Sequence, residues 1–440
     1  MKKSQALLSV LLLLALLLTT LAGCSTTSAP TTVATTTASP AGDSGQTEAG
    51  QPANLTVWAW DVALAQLQEA AATYTAQHPE VTFTFEDMGT DQIYSKLVTS
   101  LATGAGLPDI VALEGEQMSG FGNKFPGKFL DLGDVVETDK YLPIKISEAT
   151  VNGKIIAFPW DAAPIALFYR TDLFEQAGIA AADLKTWDDF IVAGQKLQQA
   201  TGVAMMPLAT STRDTLYRTM LSQLGSFYFD AEGKTQLNSV PSIQAMTMVK
   251  KIYDAGITVD YSGWDEYVQT VADEKVATIP EAVWMIGSIK DAAPQNAGNW
   301  GVMPLPGFGT ESKGATNGGS VLAIPAVSAN ATAAKDFLKF AMTDEDSLIN
   351  GFVNYGLYPS YIPAYQNEIF TQGDDYFGGQ KIYEIFNTYG QTIPMVNYTQ
   401  NFAEAMDMNK NSVAQILLEG ADVTETMNAI QAEMQAKFGQ

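Results

Sequence analysis

The chain has 440 residues, 48 of them Asp or Glu and 24 Lys or Arg, which gives a net charge of −24. A surface of that sign repels nucleic acid and anionic lipid, and the lone histidine and lone cysteine leave no His/Cys set for a metal centre and argue against Ser-His or Cys-His catalysis. The length exceeds what one hydrophobic core usually supports, so two lobes are expected.

In chain order, Met1-Lys2-Lys3 opens an apolar run from Ala6 to Ala22 that is too short and one-sided for a membrane span. The run closes on Leu21-Ala22-Gly23-Cys24, a spacing that resembles the bacterial lipoprotein signal. That resemblance implies removal of residues 1–23, acylation of Cys24 and anchoring to the outer face of the cytoplasmic membrane. Cys24 is the sole cysteine, so no intramolecular disulfide can form. Residues 24–53, rich in Thr, Ser, Ala, Pro and Gly, read as a disordered tether with a root-mean-square span of about 30 Å.

From Asn54 onward strand-like and helical patterns alternate. "NLTVWAW" (54–60) is β-rich, and Leu64, Leu67, Ala71 and Tyr74 then recur at helical spacing. "VTFTFEDM" (81–88) alternates with period two, "DQIYSKLVTSLATG" returns to helical spacing, and "PDIVALEG" (108–115) is again a strand. This βαβαβ start predicts a doubly wound sheet covered on both faces, with ligands beyond the carboxyl ends of its strands. Those ends carry Trp58, Trp60 and Asp61 on the first strand, and Glu114 and Glu116 on the third. Period-two alternation puts Trp58 and Trp60 on one face, so at least one indole is expected on the ligand side.

Further along, "FPWDAAPIALFYR" (158–170) sets Trp160 and Asp161 between two prolines inside an apolar run. Proline fixes φ and removes a donor, so neither flanking strand continues through, and the chain turns a corner there. His78 is a loop residue following a helix, and no Gly-rich phosphate loop occurs anywhere in the sequence.

These stretches, together with "NGKIIAFPWDAAPIALFYRTDLFEQAGI" (152–179), "LKTWDDFIVAGQKL" (184–197), "NWGVMPLPG" (299–307) and "NGGSVLAIPAVSANATAAKDFLKFAM" (317–342), stand in an order and spacing that matter. They resemble the extracellular solute-binding proteins of bacterial ABC importers, in the sugar-binding, maltose-binding-protein-like group. The resemblance implies a two-lobed α/β fold of the periplasmic-binding-protein type. Each lobe would be a doubly wound sheet flanked by helices, and a multi-strand hinge would join the two. Crossings are then expected at 159–164, near 315–320 and near 356–360, with lobe one at 54–161 plus 318–356 and lobe two at 162–316 plus 360–440.

The same resemblance implies a monomer without cofactor or metal that captures a carbohydrate, a di- or oligosaccharide, for a permease whose ATPase is a separate chain. Its cleft candidates are Trp58, Trp60, Asp61, Glu114, Trp160, Asp161, Trp264, Asp265, Trp284, Asn317, Tyr355 and Tyr358, with Trp284 the best placed to stack on a sugar. Trp187 and Trp300 fall at structural positions. One departure is Asp273-Glu274-Lys275, where the family usually has glycine before the lysine, so a different turn conformation is expected. A peptide or polyamine ligand, held by carboxylates and cation–π contacts, is the alternative, and a surface glycoside hydrolase with paired carboxylates is a more distant one.

Overall fold

The computed structural model describes residues 52–309 and 313–439. The leader, Cys24 and nearly all of the tether lie outside the described residues. The strands are β1 (Ala53–Ala59), β2 (Val81–Asp87), β3 (Ile110–Glu114), β4 (Thr150–Val151), β5 (Lys154–Ile155) and β6 (Phe158–Pro159), followed by β7 (Ile165–Arg170), β8 (Met206–Pro207), β9 (Thr258–Val259), β10 (Thr278–Ala282), β11 (Trp300–Met303) and β12 (Ser320–Ala323).

One lobe is built on a sheet of order β2-β1-β3-β12-β6. Here β1 runs parallel to β2 and β3, with Val57 opposite Phe85 and Ile110, while β12 runs antiparallel to β3 and β6. Pro159 is tolerated because β6 is an edge strand, where a missing N–H disrupts no central ladder. Leu55, Val57 and Ala59 turn to one face, where Leu67, Ala71 and Tyr74 of the helix Asp61–Gln77 and Phe337 of the helix Ala331–Thr343 cover them. On the other face Trp58, Val111 and Leu113 meet Ile93, Leu97 and Leu101 of the helix Thr90–Thr103.

The other lobe has an antiparallel sheet β10-β7-β11 and a parallel pair β8-β9. A parallel bridge between Ala204 and Val276, with the Thr278 N–H donating to the Met205 carbonyl at 2.8 Å, joins β8 to β10. The extended order is therefore β9-β8-β10-β7-β11. In both lobes the fourth strand runs against the rest. Trp187 and Trp300 are buried in this second core, and the Trp187 N–H donates to Gln223 Oε1 at 2.9 Å.

The turn before β10 corrects one expectation. Glu274 has φ 55°, so a non-glycine residue occupies the left-handed conformation that glycine adopts freely. Its carboxylate accepts from Asn296 Nδ2 at 3.2 Å and lies 3.7 Å from Arg170 Nη1, contacts that offset a backbone cost of about 1 kcal/mol.

Candidate functional site

Three chain segments cross between the lobes side by side. The Ala162 N–H donates to the Tyr358 carbonyl at 2.7 Å, Ser360 N–H to Trp160 at 3.0 Å, Ile165 N–H to Ala315 at 2.9 Å and Asn317 N–H to Ala163 at 3.1 Å. Asp161 locks two of the segments together, because its Oδ1 accepts from the Ser320 N–H at 2.8 Å. Gly318 and Gly319 have φ 93° and 92°. A Cβ on Gly319 would lie 2.8 Å from the Asp161 carbonyl oxygen and 3.1 Å from Lys145 Nζ, so the close approach itself demands glycine.

Lys145 is fully buried and paired with the buried Glu148. Gly115, the first residue of the helix Gly115–Lys124, leaves room for this pair, since a Cβ there would overlap Glu148 Oε2. Burial pushes the Glu148 carboxyl up to about 7 against the opposing pull of Lys145. Burial likewise raises Asp161, opposed by Lys145 and by the donors of Ser320. The hinge thus rests on a buried ionic layer in which one ammonium faces two carboxyls.

Above the hinge opens a cleft of about 710 Å³, within the range of small-molecule sites. The first lobe contributes Trp60, Tyr94, Glu114 and Glu116. Tyr94 donates its hydroxyl hydrogen to Glu114 Oε2 at 2.8 Å. Burial raises the Glu114 carboxyl, and the neighbouring Glu116 adds to the effect. The second lobe contributes Arg213, Asp214, Arg218 and Trp284.

Arg218 donates through Nε to Asp214 at 3.0 Å, and its Nη1 reaches across the cleft to Glu116 Oε2 at 3.3 Å. Burial disfavours its charge, but Asp214 and Glu116 more than compensate and raise its affinity for the proton. The Trp284 N–H donates to the Asn317 carbonyl at 3.0 Å, and Asn317 Nδ2 donates to Glu281 Oε1 at 2.9 Å. One lobe's indole is in this way oriented by the hinge.

Of the residues singled out from the sequence, Trp60, Glu114, Asp161, Trp284, Asn317 and Tyr355 line this cleft. Tyr355 sits where its hydroxyl also donates to Glu69. Three others do not reach it. Trp58 is 1% exposed, with Lys96 Nζ 4.0 Å from its ring centre, because Ile93, Leu97 and Leu101 of the helix Thr90–Thr103 cover its face of the sheet. Trp160 is 2% exposed and donates to Gln66 Oε1 at 2.7 Å inside the first core. Tyr358 is 1% exposed and its hydroxyl bonds to Asn387 within the second core.

The remaining candidates lie at the margin. Trp264 is 42% exposed and stands outside the cleft lining, its ring 5.7 Å from that of Trp284, and Asp265 beside it is also exposed and outside. Asp61 is exposed between the cleft residues Trp60 and Val62, at φ 41°. Tyr94, Arg213, Asp214 and Arg218 were not anticipated. A signal existed for two of them, because the sequence has arginine at 170, 213 and 218 only, and two of those three fall in "STRDTLYR".

Chemically, carboxylates accept from hydroxyl groups, guanidinium groups donate to them, and flat indoles cover apolar C–H faces. Among the described residues there is no cluster of three His, Cys, Asp or Glu side chains suited to a metal ion, and no helix long and apolar enough to cross a membrane.

Known proteins share this architecture. The profile of the bacterial extracellular solute-binding proteins matches residues 59–347. The lactose-binding protein of Rhizobium radiobacter is 30% identical over 387 residues, covering 86% of this chain and 91% of that protein. The arabinooligosaccharide-binding protein of Bacillus subtilis is 26% identical over 392 residues, covering 85% and 88%. The fold is that of the sugar-binding protein MalE from Xanthomonas citri, at a TM-score of 0.76 and 17% identity over 88% of this chain and 99% of that one. With two lobes hinged by three crossings, a cleft between them and this profile over most of its length, the chain belongs to the bacterial extracellular solute-binding protein family.

Proposed function

We propose that this protein is the carbohydrate-capturing component of an ABC importer, holding a di- or oligosaccharide between its lobes and presenting it to a membrane permease driven by a separate ATPase chain. The observation that carries the reading is the cleft itself. Trp60 from one lobe and Trp284 from the other line it together with the carboxyls of Glu114 and Asp161 and the guanidinium of Arg213. A ligand that touches both walls favours the closed arrangement by its differential contacts, so binding and closure are one equilibrium. Micromolar affinity requires about −8 kcal/mol net, within reach of two indole faces and a few charge-assisted hydrogen bonds after ordering costs.

The proposal extends to the envelope setting. Acylated Cys24 would anchor the chain outside the cytoplasmic membrane, and residues 24–53 would tether a monomer whose lobes comprise 54–161 with 318–356 and 162–316 with 360–440. It binds without turning its ligand over, as its relatives are binding proteins. A thermal-shift screen of lactose, arabinooligosaccharides, peptides and polyamines tests the reading. A ligand at 100 times its dissociation constant adds about 2.7 kcal/mol of stability. Stabilisation by a sugar is expected; stabilisation by a polyamine or peptide alone would replace the carbohydrate reading.

A further inference from the structure

The gap between the lobes does not end at the cleft. Beyond Gln117 a furrow of about 290 Å³ follows the helix Gly115–Lys124 past Phe121 and Lys124. It shares Gln117 with the cleft, and Gln400 and Asn401 with a second groove of about 1010 Å³. That groove lies between Asn123, Ser147 and Asn152 of the first lobe and Gln236, Asn397 and Tyr398 of the second. The Ser147 hydroxyl donates to the Val396 carbonyl at 2.7 Å, which ties the two walls together.

The chemistry changes along this path. The cleft is lined by several carboxyls and cations, whereas the charged residues of the groove are Asp230 and Glu232 alone, among many amides and hydroxyls. At the passage, the side-chain amides of Gln117, Gln400 and Asn401 make no hydrogen bond to another described residue, and all three are at least partly exposed. A primary amide offers a donor pair and an acceptor in one plane. Neighbouring hydroxyls of a neutral sugar ring present the matching acceptor and donor, while an anionic chain running into the groove would meet its two carboxylates, Asp230 and Glu232.

We propose that the ligand is a neutral oligosaccharide longer than a disaccharide, with its first units between Trp60 and Trp284 and its further units running past Gln117, Gln400 and Asn401 into the second groove. The inference rests on the carbohydrate reading and adds a chain length and a direction to it. Gln400 and Asn401 lie outside the cleft, and their replacement removes amides that the fold does not use.

Calorimetric titration with arabinooligosaccharides of two and of five units, and with lactose, tests it on the wild-type protein and on the double variant Gln400→Ala/Asn401→Ala. The five-unit sugar should bind at least about tenfold more tightly than the two-unit sugar, a gain that two or three net hydrogen bonds supply. The double variant should lose most of that gain, with the affinity for the two-unit sugar unchanged. Equal affinity for both lengths, or a length-dependent gain that survives the double substitution, would overturn the inference and leave the carbohydrate reading standing. Binding of none of these sugars would remove both.

Discussion

The two lobes share one strand order, with the fourth strand reversed in each, yet they face the cleft with different chemistry. The first presents Glu114 and Glu116 beside Trp60 and Tyr94; the second presents Arg213, Arg218 and Lys410 beside Trp284. Each also has an ion pair beneath or beside its wall, Lys145 with Glu148 in the first and Arg218 with Asp214 in the second. The shared scaffold fixes where a wall can stand. The loops and first helical turns after the strands decide what it offers, and opposite charges make closure self-complementary through Arg218 and Glu116.

Breaking the buried pair of the first lobe should have the largest effect. Lys145→Met leaves Glu148 and Asp161 without their shared cation and should cost about 3–5 kcal/mol of stability in urea denaturation. Glu148 adds a pH signature. Its folded-state value is raised to about 7, above the ordinary carboxyl range, so its contribution is complete at low pH and is lost as pH rises through about 7. Stability between about pH 5 and pH 8 should therefore decline less steeply in Glu148→Gln than in the wild type.

The tryptophans differ between core and wall. Trp58 is core, so Trp58→Ala should lose about 3–5 kcal/mol of stability without ligand. Trp284 is half-buried wall, so Trp284→Ala should lose less, about 1–2 kcal/mol, from its bond to the Asn317 carbonyl and part of its packing on the second core. Its affinity for sugar should fall by one to two orders of magnitude, about 1.5–3 kcal/mol. Denaturation and calorimetry on the same two variants separate the roles, and a reversal of the two patterns would exchange them.

The smallest effect is expected at the contact between lobes. Glu116→Gln removes one side of the bridge to Arg218, a pair that is partly solvated. It should shift the open-to-closed ratio by no more than about fivefold, or about 1 kcal/mol, seen as a slightly larger radius of gyration without sugar. The difference should shrink with added salt.

Much of this fold was legible because hydrophobic periodicity dominates it. The β1 to β3 region follows from alternation and helical spacing, and the corner at 159–164 follows from proline. Trp284 and Asn317 were legible from family order, since both flank the hinge-facing end of β10 or β12. Trp58 misled because alternation gives the face but not what covers it: the helix Thr90–Thr103 closes over Trp58, while Trp60, one residue past the end of β1, reaches the cleft. Trp160 and Tyr358 misled because their partners, Gln66 and Asn387, are remote in sequence and turn a polar aromatic into a satisfied core residue. The rarity of arginine marks Arg218 in the sequence, but its partner Glu116, 102 residues away, is brought to its side by the fold alone.

Capture between the lobes requires that a sugar touch both walls at once. Calorimetric titration of Trp60→Ala, Trp284→Ala and the double variant, with the sugar that stabilises the wild type most, tests it directly. Each single substitution, one on each lobe, should weaken binding at least about tenfold, and the two together should abolish it. Undiminished affinity in Trp60→Ala would show the ligand held by one lobe alone and would contradict capture between the two.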